Sequence, residues 1–252
     1  MRLNKYIAHA GICSRRAADE LTKEGKVKVN GAVLKEPGYD VKPGDVVTVG
    51  SKTITTSEKL CYYALNKPVG YVCTAKDEKG RKTVVSLLTD VEARVYPVGR
   101  LDYDTSGLLI LTNDGELTNL IAAPDSTVQK TYLARIAGKL SLDELWTLRN
   151  GVVIDLPVTS KDGKRKTRKY RTRPAEVRII TEKGDESLVE ISISEGKNRQ
   201  VRRMFEAASH KVISLERTAI GDVKLGRTKP GTYRKLTDSE LKSLKGLIRS
   251  NQ

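Results

Sequence analysis

The chain has 252 residues, 46 Lys and Arg against 31 Asp and Glu, and a formal net charge of +15. That length admits one large core, or a small domain beside a larger one, and the charge favours a polyanionic partner, nucleic acid ahead of an anionic membrane surface. No apolar run approaches membrane-span length and the Met1-Arg-Leu-Asn-Lys5 start lacks a signal-peptide apolar stretch, so a cytoplasmic protein is expected.

Residues 1–50 have the features of a separate module. Leu3, Tyr6 and Ile7 suit a short amphipathic helix ended at Gly11, and Ser14 can cap a second over Arg15 to Lys23 with Ala17, Ala18 and Leu21 on one side. Lys26-Val-Lys-Val-Asn-Gly31 alternates and turns, and Asp45-Val-Val-Thr-Val-Gly50 reads as a further strand. Residues 51–59 are polar without a clear period and read as a linker. The larger domain, 60–252, opens with an apolar strand, Leu60 to Leu65, and a loop, Asn66-Lys-Pro-Val-Gly70. Cys61 and Cys73 read as small buried residues in apolar strands. With Cys13 they are too scattered for a disulfide framework, and His9 and His210 are too far apart for metal-ligand spacing.

A strand at Tyr96-Pro-Val98 leads into a polar loop, Gly99-Arg-Leu-Asp-Tyr-Asp-Thr-Ser-Gly107. The apolar run Leu108 to Leu111 and the turn signal Asn113-Asp-Gly115 follow. Glu116 to Ala123 suits a short helix. Thr127 to Ile136 is strand-like, with Val128, Lys130 and Tyr132 on one side by the two-residue period. Ser141-Leu-Asp-Glu144 is a capping-box pattern, with Leu140 and Leu145 placed as its staple, for a helix ending near Asn150-Gly151. Lys161 to Arg173 holds eight cations and one acid without apolar periodicity. It is a mobile loop or an extended hairpin, for RNA capture or plain solvation. Val189, Ile191 and Ile193 form a strand with one wet face. In the next helix Val201, Met204, Phe205 and Ala208 make the buried stripe, leaving Arg199, Arg202 and Arg203 off it. A final strand runs from Lys211, and Thr237-x-x-Glu240 opens a C-terminal helix with Leu241, Leu244 and Ile248 inward. Strands outnumber helices without strict alternation, which argues α+β with a mixed, mainly antiparallel sheet flanked by helices.

Two resemblances give these elements a function. Arg2-Leu-Asn-Lys5, Ala10-Gly-Ile-Cys-Ser-Arg-Arg16, Lys26-Val-Lys-Val-Asn-Gly31 and Pro43-Gly-Asp45 resemble the alpha-L RNA-binding motif. That resemblance places Lys5, Arg15, Arg16 and Lys28 on an RNA-facing surface. Gly99-Arg-Leu-Asp102 with Thr105-Ser-Gly-Leu-Leu-Ile-Leu-Thr-Asn-Asp-Gly115 resembles the catalytic-aspartate motif of the ribosomal RNA pseudouridine synthases, the group with a small N-terminal RNA-binding domain. Asn66-Lys-Pro68 resembles a segment that family members share near the active site, Lys130-Thr-Tyr132 resembles the family's second motif, and Glu195-Gly-Lys-Asn-Arg-Gln-Val-Arg-Arg-Met-Phe205 its third, in wording closest to large-subunit members.

The family reaction breaks the ribose bond to the uracil ring nitrogen, turns the ring and rejoins it through carbon-5. The resemblance makes Asp102 the essential carboxylate, as nucleophile or as base, and leaves Asp104 to shape the loop. It gives Arg100 a part in holding the flipped base, Tyr132 the stacking face, Lys130 a supporting place in the second motif, Leu215 the apolar floor and Arg202 the pairing with Asp102. Tyr132 as a plain core residue and Arg202 as an ordinary basic helix face are the alternatives. Lys197, Arg199 and Arg203 join the RNA-binding set. No cofactor or metal is required of a redox-neutral isomerisation. The expected partner is ribosomal RNA of the large subunit, or its assembly intermediate, met by a monomer away from membranes. Two other readings stand beside this one: a non-catalytic RNA-binding assembly factor on the same fold, and the same enzyme class acting on small-subunit RNA.

Overall fold

In the computed structural model, which describes residues 1–55, 59–75, 77–124, 126–160 and 162–246, the chain divides into two units. One is Met1–Cys61 with Val91–Arg94, and the other is the remainder of the described chain from Tyr62. In the first unit, α1 (Leu3–His9) buries Leu3 and Ile7. The Ser14 side chain caps α2 (Arg15–Lys23) by accepting from the Ala17 amide at 3.2 Å. Ala17 itself, expected on the buried side, is exposed, because the packed stripe runs through Ala18, Leu21 and Thr22. Four short strands follow, β1 (Val27–Val29), β2 (Ala32–Leu34), β3 (Val47–Val49) and β4 (Lys52–Ile54), in the antiparallel order β2-β1-β3-β4. Val27 and Val29 point into the core while Lys28 points out, the alternation a half-buried strand requires.

Strand β4 corrects the expectation of a linker over 51–59. Lys52–Ile54 pairs with β3, and Ile54 is buried among Leu3, Ile7, Val27 and Val47. One apolar residue in a polar stretch carries no periodic signal, so only the folded sheet shows where it goes. Residues 56–58 of that stretch lie outside the described residues.

The second unit is organised on β5 (Tyr62–Lys67), β6 (Tyr96–Pro97), β7 (Ser106–Thr112), α3 (Gly115–Ala122), β8 (Lys130–Ala137), α4 (Leu142–Asn150), β9 (Val153–Thr159) and β10 (Arg165–Arg171). It continues with β11 (Glu176–Lys183), β12 (Glu186–Ile193), α5 (Gln200–Ala207), β13 (Val212–Ile220), β14 (Val223–Lys224), β15 (Tyr233–Lys235) and α6 (Asp238–Gly246). Its main sheet runs β11-β12-β8-β13-β7-β5-β15, with β14 beside β13 and β6 beside β7. The β13–β7 pair is parallel and the others are antiparallel. This is the expected α+β architecture. Strand β7 is central and covered on both faces, so Leu108 to Leu111 are all buried and read as one apolar run. Leu108 and Ile110 pack with Leu117 and Ile121 of α3 and Leu244 of α6.

Side-chain caps start α3, α4 and α6. Asp114 accepts from the Glu116 and Leu117 amides, and Ser141 with Glu144 forms the reciprocal box of α4. Thr237 and Glu240 do the same for α6. Leu241 and Leu244 of α6 pack inward as expected, and Ile248 lies outside the described residues.

Three local expectations change. Asn66 and Lys67, read as loop, complete β5 and are buried. Cys73 lies in a loop rather than a strand, half-buried, its Sγ meeting the Leu101 carbonyl at 3.4 Å and the Leu101 amide at 3.3 Å. Arg165–Arg171 of the basic segment is a strand of the two-stranded β9–β10 hairpin, the extended-hairpin alternative, held by its backbone ladder because both faces are largely exposed. Lys161 of that segment lies outside the described residues.

Candidate active site

The loop between β6 and β7 carries Asp102. It is pinned from below by a lysine inside the sheet. Lys67 is fully buried, and its Nζ donates to the carbonyls of Thr105 at 2.7 Å, Asp102 at 3.1 Å and Pro68 at 3.0 Å. Burial pulls its ammonium below the usual lysine range, while the carboxylates of Asp102 and Asp104 favour the charged form. Close backbone packing fixes the loop's other end. Gly107 has φ +102°, and a Cβ there would stand 2.3 Å from the Arg217 carbonyl oxygen, so the parallel approach of β7 to β13 requires glycine.

Asp102 is one-third exposed, with an Arg199 guanidinium nitrogen 3.7 Å from its carboxylate. Arg199 also grips Asp104 in a two-pronged pair at 2.9 Å and 2.9 Å. The hydrogen bonds from Arg199, helped by the nearby Arg202 charge, hold the Asp104 carboxyl below the usual range. Arg199 precedes α5 at φ 50°, ψ 34°, a left-handed conformation for a non-glycine residue. Such strain costs about 1–3 kcal/mol and persists where surrounding contacts over-determine it, here the fork onto Asp104.

Arg202 was expected to pair with Asp102. Its Nη2 instead donates to the Asp104 carbonyl at 2.8 Å and lies 3.4 Å from the Asp104 carboxylate, while its Nη1 reaches the Val212 carbonyl at 3.3 Å. The reason is position: Arg202 is tucked against β13 at 13% side-chain exposure, whereas Arg199 stands before the helix and reaches over the loop. Burial lowers the Arg202 guanidinium as well.

Asp102 faces a cavity of about 280 Å³, near the low end of the roughly 300–1,000 Å³ that ligand pockets span. Arg100, Tyr132, Ile193, Lys197 and Leu215 share its lining. Tyr132 and Leu215 are nearly buried, at 9% and 6% exposure, yet both border this cavity, so Tyr132 is not sealed in the core. A flat ring and two aliphatic side chains beside a carboxylate suit a planar base held out of water with a reactive group at its edge.

Two further side chains tie neighbouring segments together. Glu195, buried, accepts from the Tyr170 hydroxyl at 2.6 Å, the Arg173 amide at 2.9 Å and Gln200 Nε2 at 2.7 Å, so it joins the basic hairpin to the start of α5. Arg203, expected on the RNA-binding surface, donates to the Asp155 carbonyl at 2.5 Å and the Asn198 carbonyl at 3.1 Å. Lys197 lies 5.3 Å from the Tyr170 ring centroid. In the first unit Arg15, Arg16 and Lys28 are exposed and Lys5 is half-buried. The resemblance placed the Asn66-Lys-Pro68 segment near the active site without giving Lys67 a role; that role, Glu195, Arg217 and the close approach of Arg199 to Asp102 were not found from sequence. The available signals were a lysine closing an apolar strand, a lone acid in a cationic motif, and an arginine sharing the strand side of Leu215. Among the described residues there is no group of three or more His, Cys, Asp or Glu able to hold a metal ion.

Comparison with known proteins bears on this geometry. The family model described as RNA pseudouridylate synthase matches residues 61–207, and the S4 domain model matches residues 1–47. The chain is 43% identical to "Ribosomal large subunit pseudouridine synthase B" of Bacillus subtilis (strain 168), over 98% of this chain and 96% of that protein. It is 39% identical to "Dual-specificity RNA pseudouridine synthase RluF" of Escherichia coli O6:H1, over 100% of this chain and 80% of that one. A solved structure titled "Crystal structure of pseudouridylate synthase" superposes with a TM-score of 0.66 at 32% identity, covering 97% of this chain and 99% of the other. With the family model matching residues 61–207 and relatives at 39% and 43% identity matched over 80% and 96% of their own length, the chain belongs to the RNA pseudouridine synthase family, which are isomerases.

Proposed function

We propose that the protein converts uridine to pseudouridine in ribosomal RNA of the large subunit, with Asp102 as the essential carboxylate. The observation that carries the reading is the placement of Asp102 on a cavity walled by Tyr132 and Leu215, with its loop pinned by Lys67. The flipped uracil stacks on Tyr132, Leu215 screens the ring from water, and Arg199 keeps the Asp102 carboxylate oriented beside the sugar. The C1′–N1 bond breaks and a C1′–C5 bond forms. The C5 proton leaves and N1 gains one, so no redox partner is consumed. Exposed cations of the first unit, Arg15, Arg16 and Lys28, contact phosphates and supply sequence-independent affinity.

The large-subunit substrate is supported by the B. subtilis relative's name and by the third-motif wording. The protein acts as a monomer in the cytoplasm. None of the helices among the described residues is long and apolar enough to cross a membrane. The test is to map pseudouridine in ribosomal RNA from a strain lacking the gene against its parent. Loss of one or a few large-subunit pseudouridines is expected; loss confined to small-subunit RNA would overturn the substrate, and an unchanged pattern would overturn the reading.

A further inference from the structure

A second cavity, of about 420 Å³, lies next to the Asp102 cavity and shares Arg100, Tyr132 and Lys197 with it. Two buried cations face it. Lys130 is 9% exposed and Arg217 4% exposed. Arg217 spends its Nε on the Leu108 carbonyl at 2.7 Å and lies 6.0 Å from the Tyr132 ring centroid, while its buried Nη2 has no hydrogen-bond partner among the described residues. Among the described residues the charged neighbours of Lys130 are cations: burial, then Arg217 and Arg173, pull its ammonium down to about 8.

Among the described residues one acid lines this cavity, Glu195, and both of its oxygens already accept from Tyr170, Arg173 and Gln200. Burying a cation without a counter-charge costs several kcal/mol even after the protein relaxes. Two such cations on the neighbouring strands β8 and β13, one with a buried guanidinium nitrogen that has no hydrogen-bond partner among the described residues, describe an anion site. The lining also includes the apolar Val98, Ile121, Pro124 and Ile220, which suit a ribose or base attached to that anion.

We infer that this cavity is a phosphate subsite, built on Lys130 and Arg217, that takes a backbone phosphate of the RNA strand whose uridine enters the Asp102 cavity. The ligand rests on the proposed function, while the anion site rests on the geometry alone. A planar guanidinium and an ammonium on one side can hold two phosphate oxygens, and the shared Tyr132 makes the base pocket and the phosphate subsite neighbours along one strand. Strand β8 places Lys130 two residues from Tyr132 on the same face, so the second motif carries both contacts.

The test follows the Lys130 ammonium by lysine side-chain NMR on the full chain, assigned with Lys130→Met, which keeps an unbranched stem of similar length. The probes are uridine, uridine 3′- and 5′-monophosphate, and inorganic phosphate at matched ionic strength. A uridine monophosphate should raise the Lys130 midpoint by about one pH unit, because an anion favours the charged form, and uridine alone should leave it in place. Inorganic phosphate should need roughly tenfold higher concentration, since it lacks the attached nucleoside that anchors it.

No movement with any phosphate probe would overturn the subsite, and inorganic phosphate acting as strongly as the nucleotides would reduce it to a free-anion site. The midpoint change should persist in Asp102→Asn, so failure of the Asp102 assignment and failure of the subsite are read separately. In RNA binding across a salt series, Lys130→Met should lower the log–log slope by about 0.7, one single-strand phosphate. An unchanged slope would count against the inference.

Discussion

Replacing Lys67 by Met tests whether the sheet holds the catalytic loop. Methionine keeps the length of the buried stem and removes the ammonium that donates to the Pro68, Asp102 and Thr105 carbonyls. Hydrogen bonds to charged groups contribute about 1.5–3 kcal/mol each, so three make a gross loss of about 5–9 kcal/mol. Against this stands the relief of a fully buried charge, which is itself worth several kcal/mol. The net cost is about 3 kcal/mol, or a fall in Tm of roughly 6–12 °C for a unit of this size.

The more telling readout is functional. Two of the freed carbonyls belong to the Asp102 loop, so the carboxylate loses its fixed position. Under conditions where the variant stays folded, single-turnover pseudouridine formation should fall by roughly a hundredfold, while RNA affinity changes by less than about twofold. Denaturant unfolding and single-turnover kinetics on one preparation measure both. A stability change under about 1 kcal/mol, or a rate that falls only with the folded fraction, would refute the pinning argument.

Other substitutions probe the rest of the site. Gly107→Ala should destabilise the second unit by about 3 kcal/mol or more and disturb the β7–β13 pairing, seen as lost amide-exchange protection at Leu108, because its Cβ would meet the Arg217 carbonyl at 2.3 Å. Arg199→Asn suits the left-handed backbone and removes the cation beside Asp102, so turnover should fall at least about tenfold with stability within about 1 kcal/mol. Equal loss of stability and rate would assign Arg199 a purely structural role.

Lys130→Met should stabilise the protein at pH 7. The lysine is charged in both states below about pH 8, and the charged form is penalised only in the fold; between about 8 and its ordinary 10.5 the folded protein releases the proton first. That gap corresponds to about 3 kcal/mol, fully present below pH 8 and relieved as pH rises to 10.5, so the gain from Met should shrink over that window. A gain that stays constant from pH 7 to pH 10 would contradict it.

What could be read from the sequence was local. The Ser14, Ser141 and Thr237 caps lie within three residues of the amides they satisfy, so residue type and spacing are enough to find them. The β7 run and the α5 stripe were legible because their burial has a period. The pinning role of Lys67 was not: its partners at 102 and 105 are far along the chain, and a lysine before a proline reads as the start of a turn. Arg199 and Arg202 could not be ranked by helical spacing, because Arg199 turns left-handed before α5 begins and so reaches a different neighbour. Strand β10 is polar on both sides, so nothing in its pattern separates strand from loop. The anion cavity joins residues from β8, β13 and the segment after β12, and sequence spacing does not bring those together.

The central claim is that Asp102 performs the isomerisation while cations elsewhere hold the RNA. Asp102→Asn removes the charge with almost no change in volume, so it isolates the carboxylate. The measurement is a pair of quantities on that one variant: pseudouridine formed per enzyme molecule, and RNA affinity across a salt series. Turnover should fall to background while affinity and its slope, about 0.7 to 0.9 per phosphate neutralised, stay at the parental values. Near-parental turnover by Asp102→Asn would contradict the account.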